Sequence, residues 1–192
     1  MKDADIRTAL WDRLTARLAS EPGARLFDEL GVCEGRARID LALVNGRLNG
    51  FEIKSDQDTL SRLDEQQRLY SKVFDRVTIV AHGAHLSHVF DRVPEWWGVT
   101  QAIGIGADIV RFIDRRLPAD NPAPDATAIV QMLWRDEVIA LLERRGLDRG
   151  IRSKPRRYAW ERAASAIDQA ELAGEVRRAL KRRPQRRYER PV

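Results

Sequence analysis

Two apolar runs flanking a short polar turn constrain this chain more tightly than any other feature. Arg38-Ile39-Asp40-Leu41-Ala42-Leu43-Val44 and Gly50-Phe51-Glu52-Ile53-Lys54-Ser55-Asp56 read as neighbouring strands of one hairpin. Side chains alternate along a strand, so the register decides which residues share a face. A plain two-residue loop at Asn45-Gly46 would set Asp40 opposite Phe51 and turn Glu52 to the other side. Ile39, Leu41 and Leu43 form one apolar face instead, and their natural partners are Phe51 and Ile53. That pairing requires Ile39 opposite Ile53 and therefore Asp40 opposite Glu52. It predicts a three-residue loop or a bulge, which Gly46, Gly50 or Arg47-Leu48-Asn49 can accommodate.

The same register gathers chemistry. An Asp and a Glu converging from adjacent strands can hold Mg²⁺ or Mn²⁺ through oxygen ligands, and a Lys two residues beyond the Glu shares its face. Asp40, Glu52 and Lys54 meet that description. Two adjacent carboxylates repel unless a cation lies between them, which favours a metal over an exposed hairpin carrying surface ion pairs.

Beyond the hairpin, Gln66 and Tyr70 lie four residues apart, the spacing of neighbours on one helical face. Together with Glu29-Leu30-Gly31, Arg62-Leu63, Phe74-Asp75 and Trp96-Trp97-Gly98, these motifs make residues 1–115 similar to a small bacterial and phage family of the PD-(D/E)XK nuclease superfamily. The Gln66-x-x-x-Tyr70 element resembles that of its RecB/Cas4-like members, although no Pro precedes Asp40. The resemblance implies a restriction-endonuclease-like fold and a Mg²⁺- or Mn²⁺-dependent nuclease acting on DNA, in repair or in phage and defence processes. It assigns Asp40 and Glu52 to the metal, with the Ile53 carbonyl as a further ligand and Lys54 as the electrostatic catalyst. Glu29 is the expected third acid, ahead of Glu34, Asp5 and Asp12, and Gln66 and Tyr70 stand beside the metal. The alternative is a catalytically silent nucleic-acid-binding or partner-recruiting module of the same fold.

The coarse pattern agrees with an α/β architecture. An amphipathic helix over Ala4–Ala19 carries Ile6, Leu10, Leu14 and Leu18 at helical spacing, and Leu26–Cys33 reads as a strand before the hairpin. Asp58-Thr59 is the expected N-cap of a helix reaching Phe74, and Val77–Ala81 is a strand apolar on both faces. The order is αβββαβ around a mixed sheet, followed by a helix over Leu86–Val93 and a hairpin through Ala102–Ile105 and Ile109–Ile113. Residues 1–118 are expected as the core, 119–127 as a Pro-containing linker and 128–192 as a basic helical extension.

Charge is concentrated in that extension. From Arg135 onward there are 17 Lys and Arg against 9 Asp and Glu, a net +8, whereas the preceding residues carry 17 against 20. Arg152, Lys154, Arg156 and Arg157 form one cluster beside Tyr158, and Lys181, Arg182 and Arg183 open another that runs to Tyr188. Cations interleaved with aromatic rings suit phosphate contact and base stacking, which points to DNA as partner; the plainer reading is a solvated helical face. The 43% hydrophobic and 33% charged content, and the lack of any apolar run of membrane-spanning length or of a signal-peptide core, set the expectation of a cytoplasmic protein with no membrane partner. The oligomeric state stays open, a homodimer included. A single Cys33 excludes an internal disulfide and a cysteine-based zinc cage. His82, His85 and His88 would have to converge from a strand end, a glycine turn and a helix start to bind zinc, so they read as structural, and Trp96 and Trp97 as core cover.

Overall fold

The computed structural model describes residues 1–18, 21–105 and 109–184. The end of the basic tail, with Arg186, Arg187 and Tyr188, lies outside the described residues. The chain forms an α/β structure with α1 (Asp3–Leu18), β1 (Arg25–Val32), β2 (Ala37–Val44), β3 (Leu48–Lys54), α2 (Leu63–Tyr70), β4 (Arg76–His82), α3 (Leu86–Arg92), β5 (Gly98–Ile105) and β6 (Ile109–Arg116). Four further helices follow: α4 (Ala126–Val130), α5 (Arg135–Arg144), α6 (Arg156–Ala166) and α7 (Gln169–Arg182). The six strands lie side by side in chain order, and β3, β4 and β5 run parallel while every other neighbouring pair is antiparallel. Val77, Ile79, Val80 and Ala81 of β4 are all buried, because this central parallel strand is covered on both faces.

The hairpin adopts the register that burial demanded. Leu41 pairs with Phe51 and Val44 with Leu48, leaving Asn45, Gly46 and Arg47 as a three-residue loop. Asn45 closes it with its backbone N–H donating to the Arg47 carbonyl at 3.0 Å and its side-chain oxygen accepting from the Arg47 N–H at 3.0 Å.

The expected apolar face is divided, however. Leu41, Leu43 and Ile53 pack beneath α1 with Ile6, Leu10 and Leu14, while Ile39 lies in the other layer with Ala42, Val44 and Phe74. The division falls at Glu29 and Asp40. Glu29 has a φ of 53°, in the left-handed region. On either side of it β1 and β2 keep one register, Asp28 with Leu41 and Leu30 with Ile39, yet the faces exchange. The pairing of β2 with β3 also stops at Leu41 and Phe51. Asp40 consequently stands at a seam between the two layers.

Two further expectations change. Asp58 does not cap α2: its carboxylate accepts from the Ser55 N–H at 2.7 Å and the Ser55 hydroxyl at 2.6 Å, and α2 begins only at Leu63, after a turn. The segment expected as a linker is fastened to the turn between α2 and β4. Asn121 donates its amide to the carbonyls of Ser71 and Phe74, and the Asp125 N–H donates to the Lys72 carbonyl. The helices after it share one apolar cluster with the sheet, through Ile129, Val138, Leu142, Trp160, Leu172, Val176 and Leu180. They close the second face rather than extending from it, and Arg177 of α7 pairs with Asp75, before β4, at 2.9 Å.

Gly50 marks the tightest point of this packing. A Cβ there would lie 2.4 Å from the Ile39 Cδ1 and 3.1 Å from a Phe74 ring carbon. Gly50→Ala is expected to lower stability by about 1–3 kcal/mol through overpacking. Ile39→Val deletes the clashing methyl, so chemical denaturation of the double variant should show less than the sum of the two single losses.

Candidate active site

At the end of β3 two opposite charges are buried together. Glu52 is 3% exposed and Lys54 4%, and the Lys54 ammonium donates to Glu52 Oε1 at 2.8 Å. The strand's alternation puts both on the α2 side, where the Gln66 amide donates to the same Glu52 oxygen at 2.5 Å. The Tyr70 hydroxyl lies 2.9 Å from Glu52 Oε2 and 2.8 Å from the Arg38 carbonyl, with one proton to share between them. Gln66 and Tyr70 thus meet at Glu52 from one face of α2, as their spacing implied. Tyr70 is held from behind by stacking with Trp97 and an edge contact with Phe74.

Asp40 faces Glu52 one step beyond the last hairpin pair. Its Oδ2 accepts the Ile53 N–H at 2.7 Å where the ladder stops, and its Oδ1 accepts from the Arg7 guanidinium of α1 at 2.5 Å. Arg7 also reaches Asp28 at 2.9 Å and Asp3 at 3.2 Å. Burial raises the Asp40 carboxyl above its ordinary range, against the Ile53 N–H and Arg7, which pull it down. Burial, followed by the charge of Asp40, pushes Glu52 up to about 7 even with Lys54 beside it. Burial and the negative Glu52 keep Tyr70 a neutral phenol.

Asp40, Glu52, Ile53, Lys54, Gln66, Arg7 and Asp3 line a cleft of about 660 Å³, with Tyr70 and Asp28 behind its wall. Its wall also holds Glu29, which pairs with Arg38 at 3.1 Å and is the only one of the proposed third acids on that lining. Glu34 is turned to the C-terminal helices, toward Arg156 and Gln131, and α1 contributes Asp3 rather than Asp5 or Asp12. Arg36, Arg38 and Arg62 line the same cleft. The Gln66 carbonyl oxygen is buried with no hydrogen-bond partner among the described residues. Arg7, Asp28, Arg36 and Arg38 were not singled out as site residues by sequence reasoning. Arg7 sits next to Ile6 on the apolar stripe of α1, with Asp3 one turn before it, the pattern of an ordinary surface pair.

The basic residues divide into two groups. Arg156 reaches Glu34 at 3.8 Å, next in the chain to Gly35 and Arg36 of the cleft, which sets Arg156 near its rim, while Lys154, Arg157 and Tyr158 are its exposed neighbours in sequence. Arg152, also exposed, is engaged with Glu143 and Asp148. The second group lies at the Arg25 end of β1, where Arg25 donates to the Arg183 carbonyl, about 20 Å along the strand from the Glu34 turn. Arg183 is structural: it grips Glu137, donates to the Met132 carbonyl and stacks on Trp134. Arg182 lines a separate groove between α5 and α7, near Lys181.

Among the described residues no group of three or more His, Cys, Asp or Glu side chains is placed to hold a metal ion. Mg²⁺ does not require one, since it is commonly bound through one or two carboxylates, waters and the phosphates of its substrate. Asp40 and Glu52 fit that smaller donor set. Burial raises both carboxyls despite Arg7 and Lys54, and the charge of a divalent cation would offset that desolvation. The histidines serve other ends. His85 donates from Nε2 to the Ser55 carbonyl at 2.8 Å, steadying the loop after Lys54, while His82 accepts from the Ala84 N–H and His88 lies against Ser87.

The chain belongs to the bacteriophage P4 protein cII family, whose pattern matches residues 1–190. Over 78 residues it is 42% identical to Protein cII of Enterobacteria phage P4, a match covering 41% of this chain and 30% of that relative. The matched stretch thus spans less than a third of the relative's length. A solved protein of unknown function from Silicibacter pomeroyi is similar over 77% of this chain and 93% of its own, with a TM-score of 0.43 and 16% identity. No helix among the described residues is long and apolar enough to cross a membrane.

Between pH 4.5, the ordinary value, and about 7, the folded chain holds a proton on Glu52 that the unfolded chain has released. The stability this group contributes is therefore present below pH 4.5 and lost as pH rises through about 7. In chelator, the melting temperature of the wild type should fall across that interval more steeply than that of Glu52→Gln. Parallel curves would mean that Glu52 is not the titrating group.

Proposed function

We propose that the chain is a metal-dependent nuclease of the PD-(D/E)XK superfamily, with a restriction-endonuclease-like core, acting on DNA. The observation that carries this reading is the buried Glu52–Lys54 pair opening with Asp40 onto one cleft. Burying opposite charges at a strand end is costly, and structural needs are met more cheaply by apolar residues, so such a pair in a cleft favours a catalytic use.

Asp40, Glu52 and the Ile53 carbonyl would hold Mg²⁺ or Mn²⁺. When bound, the cation supplies Lewis acidity that offsets charge on a phosphoryl oxygen and makes water a usable nucleophile near neutral pH. The protein's own part is orientation. Lys54, fixed by Glu52, directs its ammonium at the attacking water and at charge developing on the phosphoryl group. Gln66 and Tyr70 fix the Glu52 carboxylate, and the unpartnered Gln66 oxygen offers an acceptor to water or a nucleotide N–H or O–H. Arg36, Arg38 and Arg62 would supply phosphate contacts along the wall, extended toward Arg156 beyond Glu34. Glu29 is the third acid if one is used. Membership in a family named for a bacteriophage protein favours phage and host conflict as the setting.

A second reading rests on a different observation. Every carboxylate oxygen of Asp40 and Glu52 already has a protein partner, as expected of a catalytically silent module that binds nucleic acid or recruits a partner. Incubation with single-stranded, double-stranded and branched DNA in Mg²⁺ or Mn²⁺ separates the two. The nuclease reading expects cleavage that falls at least about a hundredfold in Asp40→Asn, Glu52→Gln and Lys54→Ala, with folding retained. Binding without cleavage of any substrate would support the silent module.

A further inference from the structure

We propose that Arg7 is a built-in competitor for the metal, so that the site loads its cation together with nucleic acid. This rests on the nuclease reading and adds a means of controlling it. Arg7 is mostly withdrawn from water, its side chain 13% exposed, and it bridges three carboxylates: Asp3 on its own helix, Asp28 on β1 and Asp40 on β2. Its Nη1 also lies 3.3 Å from the Asp40 carbonyl, so the guanidinium holds both the backbone and the side chain of the residue proposed as metal ligand.

A point charge would not achieve this. The planar fork engages Asp3, Asp28 and Asp40 through different nitrogens, which a lysine cannot reproduce. The fork also occupies Asp40 Oδ1 at a distance where a cation would be strongly repelled. A divalent ion entering between Asp40 and Glu52 therefore has to displace Arg7 or share Asp40 with it. Phosphate relieves the conflict, because it offers the guanidinium an alternative oxygen fork and brings its own negative charge to the cation. Arg7 lines the same cleft as Arg36, Arg38 and Arg62, where a phosphate backbone would lie, so the exchange needs a change of partner within one cleft. By linkage, nucleic acid should then tighten metal binding and metal should tighten nucleic-acid binding by one and the same factor.

Calorimetric titration of Mn²⁺ into the full chain without nucleic acid tests this directly, using the wild type, Arg7→Gln, Arg7→Lys and Asp40→Asn. Arg7→Gln should bind Mn²⁺ at least about tenfold more tightly than the wild type, because a neighbouring positive charge has gone. Arg7→Lys should fall between them, and Asp40→Asn should bind least. Melting curves in chelator should show Arg7→Gln less stable than the wild type, with the loss reversed by Mn²⁺. Wild-type affinity unchanged or weakened in a folded Arg7→Gln would overturn the competitor role while leaving the nuclease reading intact. Should Arg7→Gln not fold, the comparison passes to Arg7→Lys, and affinity equal to or below wild type overturns the role. If neither the wild type nor the Arg7 variants bind Mn²⁺, even with a DNA oligonucleotide added, the nuclease reading falls and this role with it.

Discussion

The contact between Lys54 and Glu52, 2.8 Å long and almost wholly out of water, is the interaction around which the rest of the molecule is arranged. Desolvating two ions costs more than a bare pair returns, so such a contact persists only where further hydrogen bonds complete it. Here α2 completes it with Gln66 and Tyr70. Tyr70 in turn is fixed by Trp97 and Phe74, which belong to the apolar layer that α4 to α7 close. The C-terminal helices are thus linked to the cleft through packing, and the apolar cluster that joins them to the sheet makes them part of what keeps Glu52 in place.

The seam at Asp40 is the second constraint. In a regular hairpin Asp40 would point into one layer, out of reach of the other. The left-handed turn of β1 at Glu29 and the early end of the β2–β3 ladder free its carboxylate to take the Ile53 N–H and to face α1 and the cleft together. This irregularity is what brings Arg7 of one layer into the same cleft as Gln66 of the other.

Much of this was legible in the residues. The three-residue loop and the placement of Asp40 across from Glu52 followed from matching the apolar face of Ile39, Leu41 and Leu43 to Phe51 and Ile53, with Leu41 opposite Phe51, because burying apolar area fixes register wherever one face is covered. The i, i+4 geometry of Gln66 and Tyr70 carried over intact. Ile39 did not, since strand alternation assumes an unbroken ladder, and no local pattern marks Glu29, a residue with no glycine-like freedom, as the place where φ turns positive. Asp58 has the composition of a helix cap, but its carboxylate was captured by Ser55, whose position depends on the loop after Lys54. Arg183 read as a phosphate ligand because charge is visible in sequence while its partners, Glu137 and Trp134, are distant in the chain. Arg7 was missed for the same reason: Asp28 and Asp40 come to it only through the fold.

The central claim, that Asp40 and Glu52 form one divalent-cation site, is tested most directly by a crystal structure grown with Mn²⁺ and a short DNA duplex, with anomalous data collected at a wavelength sensitive to manganese. An anomalous peak about 2.0–2.4 Å from oxygens of both Asp40 and Glu52, with Arg7 moved off Asp40 onto phosphate, is the predicted result. DNA bound in the cleft with no peak there, and with Arg7 still on Asp40 and Lys54 still on Glu52, would contradict it.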